Sequence, residues 1–278
     1  MDTIRLGLIG DNIAASRAPD LHHTAARICG VDLAYERLVP GDLGLDFDGV
    51  FARARAEGLR GLNVTHPYKE RVLRFVTVED PTVQAIGACN TVLFGASAIG
   101  LNTDYTGYVA AFRARFGAMP SSTVAMAGSG GAGKAVAFAL AELGAKSLAL
   151  FDVDASKSRA LAAALGNHQV GMTVSVAPSL EIACDGADAL INCTPRGMSG
   201  YGGDAFAGIQ LRDRRWIFDV VYTPVETDFL KRARAGGVDI LSGYELFLYQ
   251  GIHAFKHFTG CDVAASILRR ELRSAFGS

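Results

Sequence analysis

The stretch Thr123-Val-Ala-Met-Ala-Gly128-Ser-Gly-Gly-Ala-Gly133 decides how this chain is read. An apolar run of strand length ends in a glycine pattern, Gly128, Gly130 and Gly133, that fits G-x-G-x-x-G, and an alanine-rich segment of helical character follows to about Leu143. Small residues at such a turn let the backbone approach a pyrophosphate, whose charge the helix N-terminus stabilises. Gly128, Ser129, Gly130, Gly131, Ala132 and Gly133 are therefore the candidate cradle of a dinucleotide. A tight strand-to-helix turn without a ligand would use the same glycines, but the succession of strand, helix and second strand favours cofactor binding. The second strand, residues 147–151, ends in Asp152, 24 residues past Gly128. That is close to the ~20 expected of the acid that bonds the ribose hydroxyls of NAD. A 2′-phosphate would be repelled there, so NAD is favoured over NADP, and Lys157 and Arg159 read as the solvated face of the next helix.

Downstream, strand-length apolar runs at 173–176, 188–192, 216–221 and 238–241 continue the alternation with helical segments. Upstream lies a second α/β unit: strands over 5–9, 34–38 and 61–64, a hairpin over 91–101, and helices over 19–28, 47–56 and 67–76. A helix over 105–116 joins the two, and amphipathic segments over 245–257 and 261–276 close the chain. The predicted fold is a two-domain α/β protein: an N-terminal substrate domain over 1–104, completed by C-terminal helices from about 241 to 278, and a Rossmann-type dinucleotide-binding domain over 105–240.

The chain has 278 residues, half of them apolar, and a formal net charge of −1 with its lysines and arginines spread along the whole length. Without a basic patch, nucleic acid and acidic membrane surfaces are not expected partners, and a small molecule is. No apolar run approaches the ~18–20 residues of a membrane span and no leader pattern opens the sequence, so a cytoplasmic location is expected. Cys29, Cys89, Cys184, Cys193 and Cys261 are odd in number and widely spaced, which predicts free thiols. Neither they nor His22, His66, His253 and His257 stand at ligand spacing, so no metal is expected.

Two further runs carry chemistry: Asn63-Val-Thr-His-Pro-Tyr-Lys69 and Gly100-Leu-Asn-Thr-Asp104. In the first, Asn63 and Thr65 alternate with apolar neighbours and point one way. Pro67 suits a first helical position, which puts Lys69 in the first turn, where an ammonium opposes the helix dipole. Asp104 precedes a helix and suits its cap. Taken singly these are a surface lysine and a capping residue; together they are a lysine and a carboxylate able to exchange a hydroxyl proton.

The joint pattern resembles the shikimate/quinate dehydrogenase family over nearly the whole chain. The resemblance is carried by Ser16, Pro19 and His22; by Asn63, Thr65, Pro67 and Lys69; by Gly87-Ala-Cys-Asn-Thr91 and Gly100-Leu-Asn-Thr-Asp104; by the glycine turn; by Asn192, Thr194, Pro195 and Gly197; by Asp219, Tyr222 and Pro224; and by Gln250, Phe255, Thr259 and Gly260. It implies that Lys69 and Asp104 are the catalytic pair and that Ser16, Asn63, Thr65, Asn90, Tyr222 and Gln250 hold a cyclohexane or cyclohexene carboxylic acid. It also adds Thr194, Val221 and Gly243 to the cofactor contacts, and implies reversible oxidation of shikimate or quinate at a ring hydroxyl by a monomer or homodimer.

The family's commonest first block is Ser-x-Ser-Pro, whereas here Ala18 removes the second hydroxyl. An aminoshikimate-type or other polyol-acid dehydrogenase is the competing enzyme, and a catalytically weak NAD-binding regulator of the same fold is the competing class, against which Lys69 and Asp104 argue. Tyr105 stands where glycine commonly follows the Asp, and Phe151-Asp-Val-Asp154 replaces an Asn-Arg-Thr run typical of NADP-using members. Both differences lean toward the NAD-using branch.

Overall fold

The computed structural model describes residues 3–118 and 122–276. They fall into two compact units, Met1–Thr103 with Leu248–Ser278, and Asp104–Phe247.

In the first unit the chain runs β1 (Ile4–Ile9), α1 (Ala18–Cys29), β2 (Leu33–Leu38), α2 (Phe47–Ala56), β3 (Gly61–Val64), a 3-10 turn (Arg71–Phe75), α3 (Pro81–Ile86), β4 (Thr91–Phe94) and β5 (Ala98–Leu101). The sheet order is β2-β1-β3-β4-β5; β2, β1 and β3 are parallel and β4 and β5 form an antiparallel hairpin on β3. One face packs Ile9, Leu62, Val64 and Val92 on Phe47, Phe51 and Val72, while the other packs Leu6, Leu8 and Tyr35 on Ala254 and Phe258. A sheet covered on both faces has no room for strict polar alternation, which is why β3 is buried at all four positions, Asn63 included.

One predicted element is absent. The helix expected over 67–76 is replaced by a turn, with a cis His66–Pro67 bond, followed by the 3-10 segment. The backbone groups there are bonded elsewhere: Thr65 N–H donates to the Ile9 carbonyl, Asp11 N–H to the His66 carbonyl and Cys89 N–H to the Lys69 carbonyl. With the Lys69 carbonyl taken by residue 89, the α-helical bond to residue 73 does not form, and Leu73 N–H donates to Glu70 instead.

α4 (Thr103–Phe116) leads into the second unit, where β6 (Thr123–Ala127), α5 (Gly131–Leu143), β7 (Ser147–Phe151), α6 (Ala155–Asn167), β8 (Thr173–Val176), α7 (Leu180–Cys184), β9 (Ala189–Asn192), β10 (Trp216–Asp219), α8 (Asp228–Ala235) and β11 (Asp239–Ser242) follow. Its six strands are ordered β11-β10-β9-β6-β7-β8 and pair in parallel throughout. This is the doubly wound arrangement in which the strand order reverses between β6 and β9, leaving a crevice at the carboxyl ends of those two strands. The strand expected over 216–221 stops at Asp219, because the Asp219 carboxylate accepts the Val221 N–H and turns the chain. α9 (Gly243–Thr259) and α10 (Ala265–Phe276) end the fold.

Candidate functional site

Strand register gathers the polar residues of the first unit. Asn63 pairs with Thr91 across β3 and β4, and Thr91 with Leu101 across β4 and β5, so residues 63–65, 90–91 and 101–103 meet at one sheet end. Asn63 Oδ1 accepts from the Tyr35 hydroxyl at 2.9 Å, which directs its amide nitrogen to the Asn90 carbonyl (3.4 Å) and Thr91 Oγ1 (3.3 Å). Asn90 Oδ1 accepts the Thr103 N–H at 2.7 Å and its nitrogen donates to Thr103 Oγ1 at 3.0 Å. Both amides are thus held in one orientation. Asp104 follows directly on Thr103 and is 7% exposed, at the start of α4.

The turn that carries Lys69 is fixed by the Cys89–Lys69 bond and by Tyr68, whose hydroxyl donates to Asp11 Oδ1 at 2.8 Å. Thr65 lies against the end of β1, where a Cβ on Gly10 would meet its Cγ2 at 2.3 Å. Ser16 lies in the loop between β1 and α1; its Oγ accepts the Ala18 N–H at 3.3 Å and its carbonyl accepts from Arg37. Arg17 pairs with Asp20 at 3.4 Å with 40% of its side chain exposed. His22 is buried, stacked on Tyr35 at 4.8 Å, and desolvation drives its pKa down to about 3, so it is neutral. Cys89 is wholly buried and its thiol is pushed up to about 12 by desolvation, which leaves it an unreactive filler. Gln250 lies in α9, one residue before Gly251, which packs on Leu21.

In the second unit the glycine turn lies at the reversal of strand order. Gly128 has φ +97°, and a Cβ there would meet the Cys193 carbonyl at 2.7 Å and Thr194 N at 2.9 Å, so the loops after β6 and β9 touch through this glycine. A Cβ on Gly133 would meet the Gly128 carbonyl at 2.2 Å, whereas at Gly130 it would meet nothing within 4 Å. Gly130 is the N-cap of α5 and supplies no side-chain cap, so Gly131 and Ala132 open the helix with their dipole end uncovered by a side chain. Open space at Gly130 above a helix N-terminus fits a pyrophosphate.

Asp152 closes the adjoining β7: its Oδ2 accepts the Ser129 N–H at 2.8 Å and its Oδ1 the Asp154 N–H at 2.9 Å. Val153 beside it is 96% exposed. Thr194 donates both its N–H and its hydroxyl to Asn192 Oδ1, at 2.9 and 2.7 Å. Gly243 approaches the Val221 carbonyl so closely that a Cβ would lie 2.5 Å from it. Tyr222 stacks on Phe247 at 4.7 Å.

Sequence reasoning named Asn63 and Asn90 but gave no role to the residues that orient them. Tyr35 and Thr103, which orient Asn63 and Asn90, look like ordinary strand and helix residues. The hydroxyl of Tyr105, half-buried at the start of α4, donates to the Glu142 carboxylate of α5. Among the described residues no group of three or more His, Cys, Asp or Glu could hold a metal ion, and no helix is long and apolar enough to cross a membrane.

The doubly wound sheet of the second unit, the glycine cradle at its switch point and the buried amides of the first unit define a Rossmann-type NAD(P)-dependent oxidoreductase. A family profile described as "Shikimate dehydrogenase substrate binding domain" matches residues 8–92. The chain is 36% identical over 270 residues to a shikimate dehydrogenase (NADP(+)) of Pseudarthrobacter chlorophenolicus, covering 95% of this chain and 92% of that one. It is also 36% identical over 269 residues to a quinate/shikimate dehydrogenase (NAD(+)) of Corynebacterium efficiens, covering 94% of each. The structure of quinate dehydrogenase from Corynebacterium glutamicum in complex with NAD superposes with a TM-score of 0.89 at 34% identity, over 99% of this chain and 100% of that one. The chain belongs to the shikimate/quinate dehydrogenase family. It is an NAD(P)-dependent shikimate/quinate dehydrogenase-like oxidoreductase, and relatives of equal identity use NAD and NADP.

Proposed function

We propose that the protein is an NAD-linked dehydrogenase that reversibly oxidises a ring hydroxyl of shikimate or quinate, with Lys69 and Asp104 as its catalytic pair. Asn63, Thr65, Asn90, Ser16, Tyr222 and Gln250 bind the polyol acid, and Gly128–Gly133, Asp152, Thr194, Val221 and Gly243 bind the dinucleotide. The bound dinucleotide supplies the hydride chemistry; the chain supplies orientation and the proton. Oxidation of an alcohol requires loss of the hydroxyl proton as hydride departs, and Lys69 Nζ takes that proton and returns it in reduction. In the reduction direction the Lys69 ammonium beside the carbonyl oxygen also stabilises the negative charge that develops there before the proton is returned. The Asp104 carboxylate holds the ammonium and compensates its charge. Asn90 keeps one Nδ2 hydrogen, beyond the one given to Thr103, for a substrate hydroxyl, and Asn63 gives up one of its Nδ2 bonds of 3.4 and 3.3 Å to donate to another.

The observation that carries the cofactor preference is Asp152, an anion bound to the glycine loop through Ser129 N–H, with an exposed valine and no cation at the following position. A ribose diol donates to such a carboxylate, and a 2′-phosphate is repelled by it. Spectrophotometric assays of shikimate and quinate with NAD and NADP, and of 3-dehydroshikimate with NADH and NADPH, test the proposal. Turnover of either acid, greater with NAD, is the expected result. No activity on any of the three, or a preference for NADP, would remove the substrate or the cofactor reading respectively.

A further inference from the structure

Asp219 ends β10 with 0% exposure, a carboxylate wholly inside the second unit. Neutral donors surround it. Oδ1 accepts from Asn192 Nδ2 at 2.9 Å and from Val221 N–H at 3.1 Å, and Oδ2 accepts from the Thr227 hydroxyl at 2.6 Å. Asn192, also 0% exposed, passes the constraint on: with its nitrogen on Asp219 and on the Arg196 carbonyl at 3.0 Å, its oxygen is left to receive both donors of Thr194. Thr227 in turn caps α8 by accepting the Leu230 N–H at 3.3 Å.

Burial pushes the Asp219 pKa up to about 6, with Asp204 adding to the rise and the bonds from Thr227, Val221 and Asn192 offsetting it; Asp204 is itself paired with Arg232. An isolated buried carboxylate is unfavourable for stability, and an apolar side chain would fill the space without that penalty. What it supplies is directional: a single acceptor from which two loops hang.

From this geometry we infer that Asp219 is a positioning residue for the dinucleotide, holding Val221 N–H directly and fixing Thr194 through the Asn192 amide, at the carboxyl ends of β10 and β9. This rests on the reading that Thr194 and Val221 face the cofactor. The acceptor at Oδ1 is the essential feature. In Asp219→Asn the amide keeps an oxygen toward Asn192 and Val221 and turns its nitrogen to Thr227, whose hydroxyl can accept. In Asp219→Ala both arms are lost.

The test compares KM for NAD, kcat and Tm in Asp219→Ala, Asp219→Asn, Thr194→Ala and Asp188→Ala. Asp188 bonds Thr123 N–H and hydroxyl at 2.8 and 3.0 Å at the opposite, amino ends of the strands, and serves as a matched destabilising control. Expected are a rise in KM for NAD of at least ~10-fold in Asp219→Ala, a rise in Thr194→Ala, recovery to within about threefold in Asp219→Asn, and an unchanged KM with lowered Tm in Asp188→Ala. If Asp219→Ala does not yield folded enzyme, Asn192→Ala severs the Thr194 arm alone and is read in the same way. A wild-type KM in Asp219→Ala, no recovery in Asp219→Asn, or an equal rise in Asp188→Ala overturns the inference while a rise in Thr194→Ala keeps the cofactor reading. An unchanged KM in Thr194→Ala removes that reading and the inference with it.

Discussion

Replacing Asp152 by alanine removes the one carboxylate that closes β7 against the glycine loop. Two effects follow and can be separated. Ser129 N–H loses an acceptor at 2.8 Å and Asp154 N–H one at 2.9 Å, both at a half-exposed position where water replaces them in part, so the stability loss is about 1–2 kcal/mol, or a few degrees in Tm. The cofactor effect is larger. A ribose hydroxyl donating to an ionised carboxylate contributes about 1.5–3 kcal/mol, which corresponds to a fall in kcat/KM for NAD of roughly 10- to 150-fold. NADP moves the other way, because two unit charges ~5 Å apart at an effective dielectric of ~20 repel by ~3 kcal/mol, and the variant no longer carries one of them. The ratio of kcat/KM values, NAD over NADP, therefore falls by at least ~10-fold. Initial rates of shikimate or quinate oxidation with both cofactors, followed by absorbance of the reduced nicotinamide on protein shown to be folded by its Tm, give that ratio directly. An unaltered ratio would refute the argument and show that Asp152 does not meet the ribose.

Lys69→Ala should cut kcat by at least ~10²-fold with NAD binding little changed, and near-normal turnover would take Lys69 out of the mechanism. Asp104→Asn keeps the shape and loses the charge, so turnover should fall at nearly constant Tm; a variant that only unfolds, with unchanged activity per folded molecule, marks Asp104 as a helix cap. Ala18→Ser restores a second hydroxyl beside Ser16 and should lower KM for shikimate or quinate about tenfold with little change in kcat, whereas weaker binding of both acids would point to another substituent at that position. His22 has a folded pKa of about 3, so between that value and its unfolded ~6.5 the unfolded chain holds the extra proton. Its contribution to stability is full above pH ~6.5 and is lost as pH falls, by up to ~1.4 kcal/mol per pH unit. Denaturant unfolding from pH 8 to 4.5 should show this slope reduced in His22→Gln, and parallel curves would exclude it.

The order of elements was legible because each unit uses one physical pattern: an apolar run too short for anything but a buried strand, then a helical segment, with the glycines of residues 128–133 at the turn where β6 passes into α5. The family was legible for a related reason, since chemistry needs particular residue types at particular distances from strand ends. The helix expected over 67–76 failed because local propensity was outbid by backbone bonds to residues 9, 11 and 89, which no window along the chain contains. Amide orientation was equally out of reach: Tyr35 and Asn63 are 28 positions apart and meet because β1 lies between β2 and β3 in the sheet. So were Asn192 and Asp219, 27 positions apart, which register on neighbouring strands brings into hydrogen bond. Sequence by itself determined which side chains carry charge and polarity and on which element they ride. Only the tertiary structure decided which way each polar group faces, because a hydrogen bond is satisfied by geometry across strands and not by proximity along the chain.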